Sequence, residues 1–209
     1  MDWAEARGIA DFLVADLPAF GRGQSQRSHR LAVCKGKTKI GKFKLPSVFG
    51  NDPRLPNEHS LCVAELRGNG GYTMFPGSLH PDTGELITWD TLCPDALPEK
   101  SWDELERLVG LVSFLAVVVR FYPQRGLRDE FCMALAGTLL RSGILNGNVE
   151  AVDRVLEVVT SLAHDEEHRQ REKAKATWRK MEAGEAVTGF PRMIQLLGFP
   201  QEAGRTLRT

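Results

Sequence analysis

The stretch Val63-Ala-Glu65-Leu-Arg67-Gly-Asn-Gly-Gly-Tyr72-Thr-Met-Phe75-Pro-Gly-Ser78-Leu-His80-Pro-Asp-Thr-Gly-Glu-Leu-Ile-Thr-Trp89 decides the fold. It reads as two short strands joined by a turn-rich loop. Cys62 to Ala64 lead into the acid Glu65, a Gly-Asn-Gly-Gly turn follows, and Tyr72 to Phe75 form an apolar run. Pro76-Gly77 breaks that run before Ser78 and His80, Pro81 to Gly84 make a second turn, and Leu86 to Trp89 are a further strand. A carboxylate, a hydroxyl and an imidazole thus fall at strand ends and loop mouths, where a rigid sheet can position them for a ligand. The plainer reading also stands: acids at strand ends face solvent, and Ser-x-His before a Pro turn is ordinary turn chemistry.

Upstream, Trp3, Ala6, Ile9, Ala10, Leu13 and Val14 share one helical stripe, which predicts a helix from Asp2 to about Ala15. Asp2 with Glu5 has the spacing of a capping box. Pro18 ends the helix, and Phe20 opens a polar segment through Gln24 to Arg30. Leu31 to Cys34 are expected to form a strand, Lys35 to Lys39 a hairpin tip, and Ile40 to Leu45 the returning strand. From Leu17 to Asn51 there are eight basic residues and no Asp or Glu. Such a segment either makes a local positive field suited to phosphates or is an edge hairpin protected by lysines against aggregation. Asn51 to Ser60 is a loop.

Downstream, Thr91 to Lys100 carries Pro94 and Pro98 and reads as a linker. The rest is helical. Ser101-Trp102-Asp103-Glu104 is a capping box opening a helix to about Tyr122. Arg128 to Arg141 is a second helix with Gly143 as its C-cap. Val149 to Ala163 is a third, and Asp165 to Ala183 a long polar fourth. A short last helix begins near Pro191. His164 and His168 are four apart, but the intervening residues are not those of a zinc-binding H-E-x-x-H helix, and an acid-rich helix start explains them better. The basic run from Arg169 to Lys180 is interrupted by Glu172 and reads as a solvated face.

The bulk properties narrow the classes. With 209 residues, 42% hydrophobic and 26% charged, the chain has an ordinary globular composition. Its formal net charge is zero, so global charge points to no partner. No apolar run reaches the ~20 residues of a membrane span, and Met1 to Glu5 do not start like a signal peptide. Four cysteines (Cys34, Cys62, Cys93, Cys132) without a C-x-x-C pair suggest reduced thiols, a cytoplasmic setting and no zinc site.

Three motifs in order carry a resemblance: Arg27-Ser28-His29, Glu65-Leu-Arg67-Gly-x-Gly-Gly, and Pro76-x-Ser78-x-His80-Pro-x-x-Gly84 closing on Trp89. Together they resemble the archaeo-eukaryotic primase superfamily, and more closely the bifunctional primase-polymerase domains of plasmid, phage and integrated-element replication proteins. Arg128-Asp129-Glu130, Ala134 to Arg141, Asp165-Glu166-Glu167, Thr177 and Gly184-x-x-Val187-Thr188-Gly189 are similar to the helical primase C-terminal domain of those proteins. The resemblance implies an α+β fold: a partial primase-polymerase catalytic domain over 1–97 with a small mixed or antiparallel sheet, an all-α bundle over 98–200, and a frayed tail over 201–209.

The resemblance also implies roles. Asp2 and Glu65 would bind Mg2+ or Mn2+ and, with His29, be catalytic. Arg27, Ser28, His29, Ser78 and His80 would contact the nucleoside triphosphate. Arg22, Lys35, Lys37, Lys39 and Arg67 would contact a single-stranded DNA template. Oxygen ligands and two-metal nucleotidyl transfer suit these residue types. The family's first metal-binding acid falls before Met1, so the chain is expected to start inside the catalytic domain. The expected function is DNA primase or polymerase activity in mobile-element replication, with a helicase domain as a possible neighbour. The alternative is a non-catalytic nucleotide- or nucleic-acid-binding module that has lost its metal site.

Overall fold

The computed structural model describes residues 3–23, 25–36, 38–49, 52–55, 61–90, 95–167 and 172–199. The fold is α+β, with six α-helices and small antiparallel sheets among the described residues. Two compact units divide the chain: Met1–Leu45 with Asn57–Ser113, and Pro46–Pro56 with Phe114–Thr209.

In the first unit, α1 (Ala4–Leu13) precedes β1 (Ala19–Arg22), β2 (Ser25–Arg30), β3 (Gly41–Lys44), β4 (Cys62–Leu66) and β5 (Thr88–Trp89). β1 is the central strand of a three-stranded sheet in the order β2-β1-β5, and β3 pairs with β4 in a second sheet. Both strands of the Val63–Trp89 stretch therefore form, but in different sheets. Between them, Gly77 donates to the Ile87 carbonyl, Ile87 to that of Ser78, and His80 to that of Glu85. This tight hairpin replaces the longer strand expected from Leu86.

Three upstream expectations are corrected. The polar segment is a strand: β2 pairs antiparallel with β1, Phe20 opposite His29. Its alternation is invisible to hydropathy because its half-buried positions are the polar Ser25, Arg27, His29 and Arg30. Leu31 to Cys34 make no strand; only Val33 bridges, in parallel, to Glu99. β3 consequently returns not against that segment but against β4, with Lys42 opposite Glu65. Between Phe20 and Arg22 the register shifts, and there Arg27 takes a left-handed backbone, φ 62°. Gly21 is required opposite it, since a Cβ would overlap the Ser25 carbonyl.

α1 is anchored by charge as well as by its buried Ile9. Asp11 accepts from Arg30 and lies 3.3 Å from the Arg27 Nε, which is also 3.3 Å from Asp90. Arg30 further donates to the Leu17 carbonyl at 3.1 Å. A small apolar cluster of Val14, Leu17 and Leu105, flanked by Ala32, Cys34 and Leu66, completes this packing.

The helices follow the sequence more closely. α2 (Trp102–Arg120) begins with the Ser101 hydroxyl accepting from the Glu104 N–H at 3.2 Å, as a capping box requires. α3 (Arg128–Ser142) ends on left-handed Gly143, φ 70°. α4 (Val149–Leu162) is capped by Asn148, which accepts from Ala151 N–H at 3.0 Å. In the second unit α3 packs against α4, α5 (Lys173–Glu182) and α6 (Phe190–Leu196). Phe49, Phe121 and Phe199 make an edge-to-face trio there, with the Arg54 guanidinium 4.0 Å from the Phe121 ring centre.

The fourth expected helix is shorter than its sequence suggests. Asp165 is not a solvated helix start but 1% exposed. Its carboxylate accepts from the Tyr122 hydroxyl at 2.9 Å and lies 3.4 Å from Arg128. Burial raises the Tyr122 hydroxyl well above its usual pKa, so it stays a donor. Tyr122 also contacts Cys132 at 3.3 Å, whose thiol burial pushes up to about 11. α5 starts only at Lys173, and α4 supplies its cap: Asp153 accepts from Ala174 and Lys175 N–H at 2.7 and 3.3 Å.

The Val187-Thr188-Gly189 segment lies along α3. Arg141 donates to the Thr188 and Val187 carbonyls at 3.2 and 2.9 Å. A Cβ on Gly137 would overlap the Thr188 carbonyl. Gly137→Val is therefore expected to lower stability by about 1–3 kcal/mol through overpacking. Urea unfolding checks this, and an unchanged midpoint would mean that the segment does not dock as described.

Candidate functional site

The candidate site is built on Phe20. This side chain is 1% exposed because β1 is paired on both sides. His29, opposite it on β2, stacks on its ring with centroids 4.8 Å apart and planes 11° from parallel. Trp89, opposite it on β5, meets it edge-on at 5.3 Å, and Phe75 packs on both at 5.5 and 5.4 Å. Phe20 thus carries the imidazole, and Trp89 and Phe75 back Phe20.

The His29 Nδ1 lies 3.0 Å from the Ser28 hydroxyl. A serine proton donated to Nδ1 leaves the imidazole N–H on Nε2. The pKa of His29 is lowered from its ordinary value, first by burial and then by the Arg67 guanidinium nearby. It is therefore mainly neutral at pH 7.

Arg67 joins the two sheets' chemistry. It donates to Glu65 at 2.9 Å, to the Tyr72 carbonyl, and to the Thr73 hydroxyl at 3.3 Å. The other Glu65 oxygen lies 3.8 Å from Lys42. Glu65, predicted to work with His29, is thus bound to Arg67, whose charge also acts on His29. The described part of the metal set offers the single carboxylate of Glu65, with both oxygens facing cations. A hard divalent cation needs further oxygen ligands. No group of three or more His, Cys, Asp or Glu among the described residues is arranged for a metal. Asp2, the other expected ligand, lies outside the described residues, as do Lys37 and His168.

The remaining candidates are placed as follows. Arg27 sits between Asp11 and Asp90, within α1 and sheet packing rather than at a loop mouth. Ser78 and His80 lie on the hairpin after Pro76. The His80 Nδ1 accepts from Asp82 N–H at 3.3 Å, which is turn chemistry. Arg22 is bound to Glu85, which also takes the Thr83 hydroxyl at 2.9 Å. Lys35 pairs with Glu99 at 2.9 Å and Lys39 with Glu106 at 3.3 Å. The basic segment, acid-free in sequence, is met by acids from elsewhere in the fold.

The sequence reading missed Phe20, Phe75, Lys42, Asp11 and Asp90 as parts of this site. Phe20 and Phe75 carried a signal, as isolated aromatics next to Gly and Pro. The two aspartates carried none, because only the packing of α1 and the β2–β1–β5 order bring them to Arg27. Comparisons with protein-family models, with curated proteins and with solved structures found no match.

A depressed His29 pKa has a definite stability consequence. The unfolded chain holds the proton more tightly, so the contribution is present above the unfolded value of about 6.5 and lost as pH falls through the folded value. His29 is expected to titrate below 6.5 by NMR. Arg67→Gln should raise the midpoint only in part, because burial is the larger cause. A midpoint that Arg67→Gln leaves unmoved would separate the two residues.

Proposed function

We infer that this chain is part of a replication protein of the primase-polymerase type, binding nucleoside triphosphate and single-stranded DNA for nucleotidyl transfer in a mobile element. The supporting observation is that Arg67, hydrogen-bonded to Glu65 at 2.9 Å, also acts electrostatically on His29. The small sheet unit would be of primase-polymerase type and the helical unit a primase C-terminal-like domain.

In this reading the Ser28 hydroxyl, the His29 imidazole and Arg67 are donors for phosphate oxygens. Arg67 is held in reserve by Glu65 and exchanges that partner for phosphate. Proton uptake by His29 accompanies the exchange, since an anion restores the pKa that burial and Arg67 lower. Glu65 with Asp2 would hold Mg2+ or Mn2+, which would supply Lewis-acid stabilisation of the phosphate charge. The second reading is a binding module without catalysis. It is favoured by the pairing of Glu65 with Lys42 and Arg67, which neutralises the acid with protein cations.

Primer extension and de novo synthesis on single-stranded DNA with manganese separate the readings. Incorporation abolished by Glu65→Ala is expected for the enzyme. Salt-dependent DNA binding without incorporation supports the module. Incorporation that survives Glu65→Ala would overturn the site. Failure of both nucleotide and DNA to raise the melting temperature would overturn both readings.

A further inference from the structure

The segment from Arg67 to Tyr72 does more than turn the chain. Asn69 N–H donates to the Thr38 hydroxyl at 2.7 Å, and that hydroxyl donates to the Asn69 side-chain oxygen at 3.0 Å. A Cβ on Gly68 would overlap Thr38, and the Lys39 carbonyl lies at 2.9 Å from the same position. The two loops are therefore clasped at a point where only glycine fits. The clasp sets the basic segment around Lys39 beside the loop that carries Tyr72.

Tyr72 is 91% exposed, although Arg67 holds its carbonyl and stiffens the backbone beneath it. Lys39 and Lys42 lie on the adjoining strand and approach, their ion pairs with Glu106 and Glu65 being solvent-exposed on the lysine side. Exposed pairs of this kind are weak and are readily surrendered to a polyanion. Lys44 follows on the same strand. An exposed ring on a loop clasped to the segment of Lys39, with Lys42 and Lys44 along the strand that follows, has the chemistry of a single-strand platform, in which bases stack and phosphates meet ammonium groups.

Resting on the function proposed above, we propose that the Thr38–Asn69 clasp forms a single-stranded nucleic-acid platform, with Tyr72 stacking on a base and Lys39, Lys42 and Lys44 following the phosphates. Gly68 is then a positioning residue: it holds the basic segment against the loop that carries the ring. The charge complementarity favours a nucleic-acid strand over an apolar protein partner.

The test uses the full chain, a fluorescent oligothymidylate, and an abasic strand of the same length. Tyr72→Ala is expected to weaken binding of the base-bearing strand about tenfold, to leave the abasic strand unaffected, and to be rescued by Tyr72→Phe. Lys42→Gln should weaken both strands and reduce the salt dependence. Since Tyr72 is exposed, its loss should leave the melting temperature unchanged. Wild-type binding that Tyr72→Ala does not alter would overturn the platform while leaving the proposed function standing. Absence of wild-type binding to DNA and to nucleotide would overturn both. A dimer in sedimentation that Tyr72→Ala dissolves would assign the ring to self-association and overturn the platform alone.

Discussion

The stack of His29 on Phe20 is the contact on which the first unit depends. Phe20 lies at the middle of the only strand paired on both sides among the described residues. Its burial requires β2 and β5 in register, and each strand answers with a ring, His29 or Trp89. An imidazole is the one aromatic that can fill this place and still exchange protons near neutral pH. Burial against Phe20 sets its charge state to neutral, which in turn allows the Arg67 cation to sit nearby without strong repulsion. Packing, register and electrostatics are thus three consequences of one contact.

The helical half was legible because its signals are local. Ser101 and Glu104 lie within one turn, Gly143 follows its helix directly, and the apolar stripes of α3 and α4 repeat at helical spacing. Asp165 was not legible for the opposite reason. Its polar neighbours His164, Glu166 and Glu167 imitate an exposed helix start, whereas its partners Tyr122 and Arg128 come from distant segments. A buried carboxylate survives only with such partners, and nothing in its local sequence shows that they exist. β2 failed similarly. Its strand alternation is written in Ser, Arg and His, whose burial depends on Asp11, Asp90 and Phe20.

The candidate site was legible in part. Glu65, Ser28 and His29 stand out by residue type and turn context; in the fold Glu65 binds Arg67, whose charge also acts on His29. Arg27 shows how a motif residue can be diverted. Its left-handed backbone at the register shift aims the guanidinium at two aspartates. Strain of this kind costs about 1–3 kcal/mol and persists where surrounding contacts impose it. Here the ion pairs and the absence of a side chain on Gly21 impose it, so the strain belongs to the joining of α1, β1 and β2.

The basic segment is the clearest case of a charge pattern changed by folding. In sequence, its eight cations meet no acid. In the fold, Asp11, Glu65, Glu85, Asp90, Glu99 and Glu106 are all brought to it. These pairs differ in kind. Arg30 is largely buried, and its pairing with Asp11 cannot be exchanged without loosening α1. Lys35 and Lys39 are 79% and 67% exposed in their side chains, so water and salt already compete for them. The fold therefore divides one run of positive charge into two populations. The arginines of β2 are committed to architecture, whereas Lys35 and Lys39 keep their charge available at little energetic cost.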